Sequence, residues 1–147
     1  MENQPDVLWF RSQDVVSAEE ARKIVVDGAA QRAIWAGPPY VLATQESGGR
    51  HLIGHQRLFL REYEVPTGSI RTVDAADDRV MACASLRQML QWLSGWSDRT
   101  GVRWELQLGA RRAALPGDPA EIVRDVCGEK SATDIAAIDR RYPDRPR

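Results

Sequence analysis

The chain of 147 residues is 43% hydrophobic, which is typical of one compact domain that buries its own core. Its 20 basic and 21 acidic residues leave a net charge of −1, so the whole molecule has no field that would attract nucleic acid or an anionic membrane. No apolar stretch approaches the ~20 residues of a membrane span, and the N-terminal sequence lacks the pattern of a secretory leader. We therefore predict a single domain over residues 1–147, with a flexible tail from about residue 143.

The two cysteines, Cys83 and Cys127, both fall in apolar helical patterns. Two cysteines in a chain of this size need no disulfide framework, and a thiolate is costly among apolar side chains. We therefore predict two buried, reduced thiols in a cytoplasmic protein that carries no cofactor.

The chain opens with a predicted strand and a predicted helix. A run rich in Val, Trp and Phe covers residues 6–13, and Trp9 is expected in the core. Ser17 and Glu20 then form a capping box, in which the Ser17 hydroxyl accepts from the Glu20 amide and the Glu20 carboxylate reaches back to the Ser17 amide. Apolar residues recur every three to four positions after Glu20, which predicts an amphipathic helix that ends before Pro38.

A predicted β-hairpin follows the helix. Two β-rich runs, residues 40–45 and 51–65, are separated by a glycine-containing turn. Residues 70–73 could add a third strand, and residues 74–79 have the composition of an exposed turn.

The second half predicts a long helix from about Met81 to Asp98, ended by Gly101, and then a strand over 102–108 with strict alternation. Two short helices follow. One begins near Asp118 and the other at the pair Ser131 and Asp134.

The order of these elements predicts the fold. Strand, helix, strand, strand, helix, strand is the order of the split βαβ, or ferredoxin-like, arrangement, in which two helices pack on one face of an antiparallel sheet. The two short C-terminal helices would be an addition to this α+β fold. An α+β sandwich with another strand order is the alternative.

The two histidines are spaced four residues apart, as are the histidines of helical zinc sites. His51 and His55 lie in a β-favouring segment, however, and four residues of strand separate them by ~13 Å. Zinc needs each nitrogen within about 2.1 Å of itself, so we predict no metal site.

The most suggestive binding surface is the odd-numbered face of the segment 51–65. Basic and aromatic side chains alternate there and could contact bases, phosphates or acidic groups. The alternative is that Ile53 and Phe59 face the core while the arginines reach solvent. The predicted binding residues on this face are His51, His55, Arg57, Phe59, Arg61 and Tyr63.

A catalytic alternative rests on His55 alone. A neutral imidazole near pH 7 is a natural general base, and Asp74, Asp77 or Asp78 could orient it. The plainer interpretation is a half-exposed strand histidine, with Asp77 and Asp78 serving as turn formers or helix caps.

Trp92 lies at the margin of the apolar face of the long helix, where it could be partly exposed and contact a partner. With no catalytic motif, the chain is best interpreted as a protein-binding or accessory module without catalytic activity. Inhibitor or immunity-type protein, adaptor and assembly subunit are the candidate roles, with a protein partner or self-association. The alternative is a small enzyme or ligand-binding protein that uses His55 with Arg57 and Arg61; the charge balance argues against nucleic acid.

Overall fold

A computed structural model describes residues 6–32, 34–45, 48–128 and 134–146. Over these ranges the chain has seven strands and four helices, which confirms the α+β class. The strands are β1 (Val7–Ser12), β2 (Tyr40–Ala43), β3 (Leu52–Arg57), β4 (Glu62–Glu64), β5 (Ile70–Thr72), β6 (Trp104–Leu108) and β7 (Arg111–Leu115). The helices are α1 (Ala18–Ala29), α2 (Ala75–Thr100), α3 (Ala120–Cys127) and α4 (Ile135–Arg141).

Five strands form an antiparallel sheet in the order β2-β3-β1-β6-β7, and β4 pairs with β5 in a separate ribbon. β1 and β2 are both antiparallel to β3 and lie on either side of it, so the connection through α1 passes over one strand. The connection through α2 passes over β1 in the same way, from β3 to β6. β7 adds a fifth strand beside β6, at the edge of the sheet. This strand was not predicted, because its sequence contains two arginines and no typical strand pattern.

The main core lies between one face of the sheet and helices α1, α2 and α3. The even-numbered residues of β1 and β6 point into it, as the alternation of β6 predicts. The Ser17 hydroxyl accepts from the Glu20 amide, as predicted, and Gly101 ends α2 with a φ of 76°. None of the described helices is long and apolar enough to cross a membrane.

A second, smaller core joins segments that are distant in sequence. Trp35 is fully buried in it, and the ring of Tyr142 from the end of α4 packs edge-on against that indole. The predicted flexible tail contributes as well, because the Arg145 guanidinium lies over the Trp35 ring, 4.9 Å from its centroid. The apolar members of this core are Trp35, Leu60, Tyr63, Val73, Val80, Met81, Ile138 and Tyr142.

The predicted long strand over 51–65 is wrong, because β3 ends at Arg57. Leu58 belongs to the main core and Leu60 to the second, so the chain must leave the sheet between them. Arg61 adopts the left-handed conformation, with a φ of 60°, before β4 begins. The Arg57 side chain holds this turn by donating to the backbone carbonyls of Phe59 and Leu60.

The exposed turn predicted over 74–79 is instead the start of α2. The Asp74 carboxylate accepts from the amides of Ala76 and Asp77, which makes it the N-cap. At the other end of the chain Asp134 caps α4 by accepting from the Ala137 amide, whereas Ser131 lies outside the described residues.

The prediction of two reduced thiols is also wrong. Cys83 of α2 and Cys127 of α3 form a disulfide across a sequence separation of 44 residues. Both side chains are buried, as expected from their apolar patterns, and the contact between α2 and α3 brings them together. The sequence places each cysteine correctly in a core but cannot say that the two helices meet there.

Candidate functional site: the open face of the sheet

The second face of the five-stranded sheet, here called the open face, carries no helix within the described ranges. Side chains alternate along a strand, and the even-numbered side chains of β1, β3 and β6 fill the core. The residues of the open face are therefore Val7, Trp9 and Arg11 of β1, Tyr40 and Leu42 of β2, Ile53, His55 and Arg57 of β3, Glu105 and Gln107 of β6, and Arg112 and Ala114 of β7.

Apolar side chains are unusually exposed at one corner of this face. Tyr40 is 57% exposed, and Leu42 and Ile53, which face each other across β2 and β3, are 38% and 37% exposed. These three account for a large share of the exposed large hydrophobic side chains among the described residues. Contiguous exposed apolar groups of this kind commonly mark interaction sites.

Three aromatic rings line up across neighbouring strands beside this corner. The His55 ring lies 4.9 Å from that of Trp9 on β1 and 5.3 Å from that of Tyr40 on β2, and it is stacked on the tyrosine at an interplanar angle of 23°. Burial between these rings lowers the pKa of His55 below its usual value. The imidazole is therefore neutral near pH 7 and adds no charge to this row of rings.

Three arginines lie on the open face, on β1, β3 and β7. Arg11 donates to the Glu105 carboxylate at 2.9 Å, and Arg112 approaches the same carboxylate at 3.7 Å. Arg57 is exposed at the other side and bonds only to backbone carbonyls among the described residues. Two arginines thus share the Glu105 carboxylate and Arg57 has no carboxylate partner among the described residues, which gives the open face an excess of positive charge although the chain as a whole is nearly neutral.

The structure divides the predicted binding residues. His51, His55 and Arg57 lie on or beside the open face, whose β3 side chains are the odd-numbered ones, so the alternative with Ile53 in the core is wrong. Phe59, Arg61 and Tyr63 follow the end of β3 and do not share this face. Tyr63 is buried in the second core.

Phe59 and Arg61 line a separate cleft of about 640 Å³ between the start of α2 and the β6–β7 turn. Its charged groups mostly neutralise one another. Arg61 makes two 2.7 Å hydrogen bonds to the Asp6 carboxylate, and Arg111 pairs with Asp125. The cleft consequently offers few free polar groups for a ligand.

Neither Asp77 nor Asp78 is free to orient His55, as the catalytic alternative requires. Asp78 is 4% exposed and accepts from the Trp35 indole and from the amides of Leu60 and Arg61. Asp77 is held by Arg141 and Tyr142, whose hydrogen bonds lower its pKa although burial opposes them. Both belong to α2, which packs on the core side of the sheet, whereas His55 projects from the open face.

Trp92 is not available to a partner. It is 8% exposed, and its ring packs against Gly28 of α1. The predicted half-exposed margin of α2 is covered by another helix of the same chain. Trp9 and Tyr40, which were not predicted to bind a partner, lie on the open face instead. For Trp9 the reason is that β1 is apolar on both faces, so its alternation cannot distinguish the core side from the open side.

Within the described ranges, no group of three or more His, Cys, Asp and Glu residues is arranged to hold a metal ion. The chain matches no protein-family model, no curated protein and no solved structure. The chemistry of the open face is therefore the main guide to function.

Proposed function

We propose that this chain is a protein-binding module without catalytic activity, which binds an acidic protein partner on the open face. The observation that carries the proposal is the exposed apolar corner formed by Tyr40, Leu42 and Ile53, on an open face whose charged side chains are three arginines and one glutamate. Interfaces of this composition combine a desolvated apolar centre with a charged rim that aligns the partner. An inhibitor or immunity-type protein, an adaptor and an assembly subunit are all consistent with such a surface.

The stacking of His55 and Tyr40 favours a protein partner over single-stranded nucleic acid. Bases bind sheets by stacking on the free faces of aromatic side chains. Here one face of the Tyr40 ring is already covered by His55, and the neighbouring Leu42 and Ile53 offer no hydrogen bonds to a base.

The disulfide bears on where this binding takes place. Disulfides persist in oxidising compartments and are rare among proteins of the reducing cytosol. The Cys83–Cys127 bond therefore favours an oxidising compartment over the cytoplasm that the sequence led us to expect.

A photo-crosslinking amino acid at position 53, introduced in the organism of origin, tests the proposal. The matched control places it at Val26, which is 59% exposed on α1 and lies away from the open face. We expect an acidic protein to be captured from position 53 and not from position 26, and the purified pair to bind more weakly as salt increases.

The decisive comparison is between Ile53→Asp and Val26→Asp. Only the first should abolish binding of the captured protein, because it places a carboxylate in the apolar centre. Equal capture from both positions, or binding that survives Ile53→Asp, would contradict the proposal. Tight binding of an oligothymidylate probe would assign the face to nucleic acid instead.

A further inference from the structure

We infer that the free edge of β2 pairs with the same edge of a second copy, so that two chains form one continuous sheet. The two edges of the sheet differ in how they are protected. Natural sheets block edge pairing with charged side chains and proline. Each edge strand has proline beside it, Pro39 before β2 and Pro116 after β7, so the difference lies in charge: β7 carries Arg111 and Arg112, whereas β2 has the uncharged sequence YVLA.

The backbone of β2 has hydrogen-bonding groups that point outward. The Thr44 amide donates to the His51 carbonyl of β3 at 2.8 Å, so alternate residues Leu42 and Tyr40 also direct their backbone groups toward β3. The N–H and C=O groups of Val41 and Ala43 must then face the opposite side. No strand within the described ranges lies there, because β2 is the end of the strand order.

This edge is complementary to itself. In an antiparallel pair centred on Leu42, Val41 lies opposite Ala43 of the second copy, and Ala43 lies opposite Val41 of the second copy. Every outward N–H group then meets an outward C=O group. Leu42 faces its own counterpart as a non-hydrogen-bonded pair, with the Cα atoms ~4.5 Å apart, which would cover part of its exposed surface.

A second copy is favoured over a strand of other composition because residues 38–45 contain no charged side chain, so that two such edges meet without repulsion. The two-fold axis would stand perpendicular to the sheet, which leaves both open faces on the same side. The inference rests on the edge of β2 alone and does not depend on the acidic partner proposed above.

Cysteine crosslinking of the full chain tests the register. Leu42→Cys should form an intermolecular disulfide under mild oxidation, because the Cα atoms of a non-hydrogen-bonded pair lie within bridging distance. Tyr40→Cys is the matched control. It lies on the same strand and face, but in this register residue 40 would be ~13 Å from its own counterpart. Crosslinking of Tyr40→Cys as readily as Leu42→Cys would overturn the register.

Sedimentation of the unmodified chain over a wide concentration range tests the dimer itself. Ala43→Pro removes only an outward N–H group and so should preserve β2–β3 pairing. It should raise the dimer dissociation constant about thirtyfold, since one hydrogen bond is lost from each copy. Leu42→Lys should abolish the dimer, whereas Ile53→Lys, one strand inward, should not. A chain that is monomeric at every concentration would overturn the inference.

Discussion

Trp92 of α2 donates its indole N–H to the carboxylate of Asp27 on α1, with Nε1 and Oδ2 2.7 Å apart. The indole of Trp96, one turn further along α2, approaches the same oxygen at 3.3 Å. One carboxylate on α1 therefore fixes two tryptophans of α2. The wide apolar face of α2 is covered from within the chain, by α1.

We expect Trp92→Ala to lower the free energy of unfolding by about 3–5 kcal/mol, because a large buried side chain leaves a cavity. Asp27→Ala should cost about 1.5–3 kcal/mol through the lost charged hydrogen bonds. Denaturant unfolding checks both values. Neither variant should change self-association. A loss of association with unaltered stability would show that Trp92 lies at an interface and not in the core.

Removal of the disulfide should be costly. Replacement of Cys83 and Cys127 by Ala frees a segment of 44 residues in the unfolded chain and should reduce stability by about 4 kcal/mol. Unfolding with and without a reducing agent measures the effect, and the agent should leave the double variant unchanged. Two titratable thiols in the unfolded, unreduced protein would contradict the assignment.

We expect Asp78 to contribute to the stability of the fold and not to catalysis. Its carboxylate satisfies three N–H donors that are otherwise buried around Trp35, Leu60 and Arg61. Asp78→Ala leaves these donors unpaired, at about 1–3 kcal/mol each before relaxation. Thermal unfolding should report this loss. Asp74→Ala, which removes only an exposed N-cap, should cost about 1 kcal/mol and serves as the control.

Two glycines should respond oppositely to alanine. A Cβ atom at Gly54 would lie 2.4 Å from Cζ of Phe10 and 2.5 Å from the Tyr40 carbonyl oxygen, so Gly54→Ala should destabilise by about 1–3 kcal/mol. Gly95 lies within α2, and its new Cβ would meet only the Arg99 side chain at 3.7 Å. Gly95→Ala should therefore stabilise the protein by about 0.5–1 kcal/mol. Comparison of the two melting temperatures tests both expectations.

Alkaline pH should weaken the second core. Burial of Tyr63 and its hydrogen bond to Asp144 raise the pKa of the phenol to about 12, from an ordinary value of 10.0. The folded state then holds this proton more tightly than the unfolded state does. Its contribution to stability is complete below pH 10 and is lost as pH rises toward about 12. Tyr63→Phe should flatten this decline in stability measured against pH, and an unchanged slope would contradict it.

The parts of the fold that the sequence predicted are those set by neighbouring residues. The capping box of Ser17 and Glu20 involves one helical turn, and the alternation that predicts β6 is contained within that strand. The α+β class follows from such local signals. The end of β3 at Arg57 does not follow from local signals. It depends on the Asp78 carboxylate, 17 and 18 residues away in sequence, which accepts from the amides of Arg61 and Leu60.

The candidate site was predictable only in part. The alternation of basic and aromatic residues along β3 led us to propose His51, His55 and Arg57, and the structure places these three on or beside the open face. Tyr40 and Trp9 join His55 only through the pairing of three strands, which no local pattern specifies. The disulfide has the same origin, since it depends on where α3 packs against α2.

The second core has a consequence for synthesis and for truncation. Trp35 precedes Ile138 and Tyr142, which pack in the same core, by more than a hundred residues. Until residues 138–142 have been translated, the second core lacks the side chains of α4, and incomplete chains with exposed apolar groups are prone to aggregate. A nonsense mutation that removes α4 would leave the main core complete but would expose apolar side chains of the second core.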